Sequence, residues 1–453
     1  MLLAPCERYD AVLCLTDGAP VFDDPALDDA FAAQGDAVDT GFLRTMRLRL
    51  PDGWCDLILA PKGTAAPEIS DALNRLRAGS VLLAPSCGRL LGPDGLRRLV
   101  QALLAGEYDF DRYRKKKRLW PERTIWAPGL ERVEEVRVLA ECVRQCRDLV
   151  NETAAALTPD ALAEFCRSLG KKYGFSVEVL PPPDGMGLFR AVAQGSALPP
   201  KLIVLRHCGG EGAPICLVGK GVTYDCGGLS LKKSAMELMR FDMNGAATVL
   251  GAFCAAVRLG VRKNLTAVFA ACENAIGPAA YRNGDILTAL DGTTVYVTDT
   301  DAEGRLTMAD AIAYCKANFH PSAVLAVAGL TGSVLSFLGP DVCAVLTRDD
   351  GLYARWTAAG EAAGEPAMRM PYLPQYRRAL DCPYADLQNS APVAPGITAG
   401  VFLSCFAGET PFLHVDLGAA PFRIASSPGL PAGATGWGVE TLYRFLACGE
   451  SPA

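Results

Sequence analysis

From residue 176 onward the chain alternates strand-sized apolar runs with helical ones, and this alternation constrains its fold more than any other feature. Strand-like runs cover 176–180, 202–206, 215–218, 265–271, 294–298 and 323–327. Helical runs over 244–259 and 306–316 are spaced between them. The first strand is stopped by Pro181-Pro182-Pro183. This order predicts an α/β unit in which a mixed sheet is covered by helices on both faces. Ahead of it, Thr158-Pro159-Asp160 reads as a helix start, with Thr as cap and Pro at the first helical position, running towards Lys172. Over 131–150, Val133, Val136, Leu139, Cys142, Val143 and Cys146 recur at helical spacing, and this helix is expected to link two domains. Before it, β-rich runs at 11–15, 54–59 and 80–83 and helical periods at 70–77 and 95–105 describe a small α/β domain. The expected organisation is an N-terminal α/β domain over 1–145 and a larger C-terminal α/β domain over 146–453.

Composition narrows the chemistry. Half of the 453 residues are hydrophobic and 21% are charged, which suits a folded chain of two or three domains. Fifty acidic residues against forty-four basic ones leave a net charge of −6, which argues against a general nucleic-acid surface, membrane-surface attachment or large acidic substrates. The basic run Arg112, Arg114, Lys115, Lys116, Lys117 and Arg118 could be an anion or partner site, but like-charge blocks favour a solvated segment. Seventeen cysteines, odd in number and without a CxxC pair, are scattered through apolar stretches such as 249–257 and 265–272, as buried reduced thiols are. They imply a reducing compartment. The most apolar windows, 265–272 and 323–330, are far below the ~20 residues of a membrane span. Residues 1–10 lack a charged stretch leading into an apolar one, so the expectation is a cytoplasmic, soluble protein without a leader peptide. The three histidines, His207, His320 and His414, are isolated from one another, which excludes a histidine-rich zinc set.

Two segments crowd ionisable groups where strands are expected to end: 218–232, continuing to 247, and 297–306. Ligands of open α/β sheets sit beyond the carboxyl ends of strands, so Lys220, Asp225, Asp301 and Glu303 are expected in one crevice. Carboxylates that converge out of water push one another towards the neutral form, and divalent cations remove that penalty. Oxygen ligands suit Mn²⁺, Mg²⁺ or Zn²⁺, and bridging carboxylates suit paired ions. Gly219, Gly221, Gly227 and Gly228 allow close backbone approach. Gly219-Lys220-Gly221 lacks the spacing of a phosphate-binding loop. Taken singly, each group has a plainer reading: Asp242 as a helix cap, Arg305 with Glu303 as a surface pair, Lys232-Lys233 as a solvated turn.

At these residues the sequence resembles the dinuclear leucyl aminopeptidases, the cytosolic leucine aminopeptidase family. That family's Asn-Thr-Asp-Ala-Glu-Gly-Arg-Leu stands at Asp299 to Leu306 with its first residue changed. Its Val-Gly-Lys-Gly-Val-Thr-Phe-Asp-Ser-Gly-Gly-Leu-Ser-Leu-Lys block stands at Val218 to Lys232, with Tyr224 for Phe and Cys226 for Ser. Weaker matches include Leu149-Val150-Asn151-Glu152, Tyr281-Arg282-Asn283-Gly284-Asp285, Leu330-Thr331-Gly332, His414-Val415-Asp416 and Ala434-Thr435-Gly436. The resemblance covers about residues 148 to 447.

It implies a catalytic C-terminal domain that removes N-terminal residues from peptides with a metal-bridging hydroxide. Two divalent ions per subunit, Mn²⁺ or Zn²⁺, are implied, one held by Lys220, Asp225, Asp242 and Glu303 and the other by Asp225, Asp301 and Glu303. Lys232 and Arg305 are implied as catalytic groups, Arg305 holding a bicarbonate that moves a proton. Met239, Gly329, Leu330, Gly332 and Ala434 are implied in the pocket for the first side chain, with apolar residues such as Leu preferred, and a homohexamer is implied as the assembly. Departures from the family are a turn one residue shorter at Ser234-Ala235-Met236, Asn244 and Gly329 for Gly and Thr, and Asp299 for Asn. The alternative is a non-catalytic hexameric scaffold or DNA-binding member of the same family, which the acidic composition and the complete catalytic set disfavour.

Overall fold

The computed structural model describes residues 9–449 apart from 18–19, 21, 34–41, 51–52, 118–122 and 427–430. Arg118 of the basic run and most of the 1–10 segment therefore lie outside the described residues. The chain divides into two compact units, Met1–Arg144 with Ile424–Ala432, and Gln145–Arg423 with Gly433–Ala453.

In the first unit, the largely apolar run Ala11–Thr16 is buried along its whole length and sits at the centre of a five-stranded sheet. It runs parallel to both neighbours, Gly53–Pro61 and Ser80–Leu83. Arg44–Leu50 and Thr124–Trp126 form the edges. Helix Ala66–Leu76 buries Ile69 and Leu73 against Leu13 and Val81, and helix Pro85–Gly106 adds Leu99 and Leu103. The latter helix is broken by Gly92, at φ +67°, followed by Pro93, which cannot continue the hydrogen-bond ladder. Arg112 to Lys117 are exposed.

The second unit carries a nine-stranded mixed sheet. Its order is Ala367–Arg369, Cys343–Leu346, Phe412–Asp416, Ala323–Ala328, Ile215–Gly219, Asn264–Asn274, Lys201–Cys208 and Ser176–Leu180, with Gly221–Asp225 paired to the far end of Asn264–Asn274. Phe412–Asp416, Ala323–Ala328, Ile215–Gly219 and Asn264–Asn274 run parallel and deliver their carboxyl ends to one edge. Side chains alternate across a strand, so one layer of Cys216, Val218, Val324 and Ala326 packs with Leu306, Ile312, Phe402 and Phe406 of helices Glu303–Phe319 and Pro395–Ala407. The other face takes helix Asn244–Arg258. Helix Pro159–Tyr173 begins as its sequence dictates, with the Thr158 side chain accepting from the Ala161 N–H, and ends at Gly174 in the left-handed conformation. Most described cysteines are buried, among them Cys216 and Cys315 in this core.

One expected strand lies elsewhere. Thr294–Tyr296 is outside the main sheet and belongs to a three-stranded sheet with Ile286–Thr288 and Leu387–Gln388. The physical reason is its polarity: Val295 is fully buried, but Thr294 and Tyr296 are only partly so, and a strand deep in a doubly covered sheet must be apolar on both faces.

His414, on the central strand Phe412–Asp416, is 1% exposed. Its Nδ1 lies 3.1 Å from the Ala326 carbonyl, and its Nε2 has no partner among the described residues. Burial pushes its pKa down to about 4, so the folded chain keeps the ring neutral. The unfolded chain protonates it near ~6.5, so stability that is complete above that pH is lost as pH falls towards 4. At pH 5 the loss is about 2 kcal/mol. Urea denaturation of wild type and His414→Gln at pH 7.5 and pH 5 is expected to show the wild type losing about 2 kcal/mol more than the variant. An equal loss in both contradicts the assignment.

Candidate metal centre

Lys220 occupies the single-residue step between strands Ile215–Gly219 and Gly221–Asp225. Its N–H donates to the Val327 carbonyl at 3.1 Å and its carbonyl accepts from the Ala246 N–H at 2.9 Å, which clamps it between strand and helix. Its side chain lies over Gly304, where an added Cβ would fall 2.2 Å from Lys220 Cε. Asp225 ends its strand, and the turn after it needs Gly227 and Gly228 at φ +89° and +62° to bring the Lys232 N–H to the Cys226 carbonyl at 3.0 Å. Asp242 follows the 3₁₀ helix Met236–Phe241. Glu303 is the first residue of helix Glu303–Phe319, and Asp301 lies in the turn just before it.

These elements bring two ammonium groups and four carboxylates together. Lys220 Nζ is 2.7 Å from Asp242 Oδ1 and 2.8 Å from Glu303 Oε1. Lys232 Nζ is 2.7 Å from Asp225 Oδ2 and 2.5 Å from Asp301 Oδ1. Asp225 Oδ1 accepts from the Gly227 N–H and from Asn274 Nδ2, each at 2.8 Å. Asp242 is therefore not the N-cap of helix Asn244–Arg258: Met243 holds that position without a side-chain cap bond. Arg305 is not a surface group either, being 3% exposed, and its guanidinium donates to the Asn389 carbonyl at 2.8 Å.

The electrostatics follow from burial. Burial and the nearby Glu303 push Asp225 up to about 7, against the pull of Lys220 and Lys232. Burial raises Asp242 well above the usual carboxylate range. Burial also opposes the charge on Glu303, but Lys220 and Lys232 outweigh it and hold that carboxyl below its ordinary value. For both lysines burial disfavours the ammonium, and the surrounding carboxylates more than compensate.

The residues fit divalent cations. One oxygen from each of Asp225, Asp301 and Glu303 lies within 4.8 Å of the others. Asp242 Oδ2 and Glu303 Oε2 are buried without a hydrogen-bond partner among the described residues, a costly state that a cation relieves. Such hard oxygen donors suit divalent cations.

Residues 144–443 match the cytosol aminopeptidase family, catalytic domain. A probable cytosol aminopeptidase of Clostridium perfringens is 38% identical, covering 84% of this chain and 81% of its own. The cytosol aminopeptidase of Pseudomonas aeruginosa is 39% identical over 77% of this chain and 74% of its own. The chain belongs to the cytosol aminopeptidase family.

Among solved structures, the bottromycin maturation enzyme BotP in complex with Mn superposes with a TM-score of 0.83 at 32% identity, covering 97% of this chain and 99% of that one. Membership in the cytosol aminopeptidase family makes this chain a hydrolase of the metallo-aminopeptidase type that works with divalent cations. Among the described residues no helix is long and apolar enough to cross a membrane.

The structure also places the pocket residues implied by the resemblance. The Gly329 carbonyl lies 3.5 Å from Lys220 Nζ, and the Leu330 N–H donates to Asp416 Oδ1 at 3.3 Å. The Met239 carbonyl accepts from the Asp242 N–H at 3.3 Å. Gly332 is exposed, at the first position of helix Gly332–Leu338. Ala434 is pinned by its backbone to Asn151 Oδ1 at 2.8 Å and to Arg147 Nε at 2.8 Å. It pairs with Phe422, whose ring stacks on Phe241, the residue before Asp242, at 5.1 Å.

The departures from the family pattern are absorbed locally. The shorter turn puts Ala235 in the left-handed region at φ +57°, and Asp242 still reaches Lys220. Asn244 sits in ordinary helical backbone, where no special conformation is needed, and its Nδ2 donates to the Phe241 carbonyl at 2.9 Å. Asp299 Oδ1 accepts the Asp301 N–H at 3.0 Å.

Sequence reasoning missed Asn274, Asn389 and Asp416 as parts of this centre. Each is an almost fully buried polar residue at or just beyond a strand end. For Asn274 and Asp416 the only signal is a polar residue closing a mostly apolar strand, since buried polar groups require partners; Asn389, between Gln388 and Ser390, carries no such signal.

Proposed function

We propose that this chain cleaves the N-terminal residue from peptides, with Leu and other apolar residues preferred. The observation that carries the reading is the convergence of Lys220, Asp225, Asp242, Asp301 and Glu303, with two buried carboxylate oxygens left without a partner among the described residues. Asp225 and Glu303 would be shared between two ions, Lys220 and Asp242 completing one set and Asp301 the other. When bound, Mn²⁺ or Zn²⁺ supplies Lewis-acid polarisation and a nucleophilic water at neutral pH. The Lys232 ammonium, held between Asp225 and Asp301 with its side chain 17% exposed, keeps its proton and donates towards the scissile carbonyl oxygen as negative charge grows there. Arg305, buried with Nε lacking a partner among the described residues, offers a fixed positive charge for a small anion such as bicarbonate. Met239, Gly329, Leu330, Gly332 and Ala434 carry no charge, which supports an apolar first side chain. The family relationship supports a cytoplasmic homohexamer, whose mass in solution would be six times the 48.0 kDa of one chain.

The test is hydrolysis by Mn²⁺-loaded protein. Leucyl-p-nitroanilide is expected to be cleaved and its N-acetyl derivative left intact, because the free α-amine is part of the recognised group. No cleavage of the former, or equal cleavage of both, would sink the proposal.

A further inference from the structure

We propose that Asn389 is a positioning residue for the metal centre, fixing in one amide the loop that carries Asp301 and Glu303. This rests on the reading of those two carboxylates as metal ligands. Asn389 directly follows strand Leu387–Gln388, whose parallel pairing with Thr294–Tyr296 continues through the Asn389 N–H to the Tyr296 carbonyl at 3.0 Å. The ladder thereby carries its side chain to the loop that leaves the partner strand. It is fully buried there. Oδ1 accepts from the Thr298 N–H at 2.9 Å, the Thr298 hydroxyl at 3.1 Å and the Asp299 N–H at 3.3 Å. Nδ2 donates to the Asp299 carbonyl at 2.6 Å and to the Ala302 carbonyl at 3.5 Å.

Two backbone donors and two backbone acceptors are thus served from one side chain. Only a carboxamide offers both polarities at this size: a carboxylate has no donor and a hydroxyl cannot span the loop. The Asn389 main-chain carbonyl also receives the Arg305 guanidinium at 2.8 Å, so the carboxylate loop and the arginine are referenced to the same residue. Groups that orient ligands from behind typically govern metal affinity and activity by roughly 10–100-fold.

The test is Mn²⁺ binding by isothermal titration calorimetry on the full-length chain, with thermal melts on each variant. Asn389→Ala is expected to bind Mn²⁺ roughly 10–100-fold more weakly. At saturating Mn²⁺ its kcat is expected to fall in similar proportion, with KM changed less than about threefold. Asn389→Asp keeps the side-chain shape and the Oδ1 acceptor, its thermal melt checks that it folds, and it is decisive if Asn389→Ala fails to fold. Its added charge alone would draw cations in, yet it turns an oxygen against the Asp299 and Ala302 carbonyls, and weaker Mn²⁺ binding is expected. As a control, Asn264→Ala removes another amide clamp, which holds the Gly210 N–H at 3.2 Å and the Gly212 carbonyl at 2.8 Å at the opposite end of the strand closed by Asn274. It is expected to bind Mn²⁺ as wild type does. Unchanged affinity in folded Asn389→Ala, tighter binding in Asn389→Asp, or an equal loss in Asn264→Ala overturns the positioning role. Failure of the wild type to bind Mn²⁺ overturns the ligand reading instead.

Discussion

Glu303→Gln lowers kcat/KM for leucyl-p-nitroanilide by roughly 10³-fold or more while the fold survives. Gln fills the same volume and still offers an oxygen to Lys220 Nζ, which lies 2.8 Å from Glu303 Oε1, so the helix start is not disturbed. What disappears is charge. Among the buried carboxylates, Asp225 is pushed up to about 7 and Asp242 well above its ordinary value. Glu303 alone is held below it, by the two lysines. Its charge is thus favoured against burial, and its other oxygen has no partner among the described residues to replace. The loss is expected to persist at saturating Mn²⁺, with a melting temperature close to wild type. Activity within tenfold of wild type would remove Glu303 from the reacting centre.

Gly245→Ala is expected to cost about 3 kcal/mol of stability and to take activity with it. Helix Asn244–Arg258 approaches strands Ile215–Gly219 and Ala323–Ala328 closely enough that backbone meets backbone. A Cβ on Gly245 would fall 2.1 Å from the Val327 carbonyl oxygen, and one on Gly219 would fall 2.6 Å from Ala246 Cα. Neither obstacle is the end of a flexible side chain, so the helix itself must retreat. That retreat breaks the Ala246 N–H bond to the Lys220 carbonyl, at 2.9 Å, and draws Asp242 away from the amine it holds. Chemical denaturation checks the stability and metal titration checks the second effect. A variant as stable as wild type would show that the helix packs less tightly than the backbone indicates.

Much of the first two thirds of the second unit was legible in the sequence, because its strands are apolar on both faces and its helices have clear starts. Thr158-Pro159 and the run 176–180 became a capped helix and a strand where their residues require them. The centre was legible too, since ionisable groups packed between strand ends have few structural uses. Two things escaped. Helix Pro395–Ala407 is apolar almost all round and mostly buried in the core, so no periodicity separates it from the strand Phe412–Asp416 that follows. The run 294–298 displays strand propensity but nothing in it says which sheet it joins. That depends on Leu387–Gln388, a two-residue partner far too short to announce itself. Asn389 inherits the same invisibility, because its importance comes from what the pairing places beside it.

That small sheet has a consequence in time. Asp299 and Asn389 are 90 positions apart. At the usual pace of synthesis, roughly 5–20 residues per second, the acidic loop emerges from the ribosome about 5 to 20 s before the residue that shapes it. During that interval Asp301 and Glu303 are present without the backbone frame that aims them, so a nascent chain cannot assemble the finished centre around whichever cation it meets first. Completion waits until the sheet closes, when most of the enzyme has already been made.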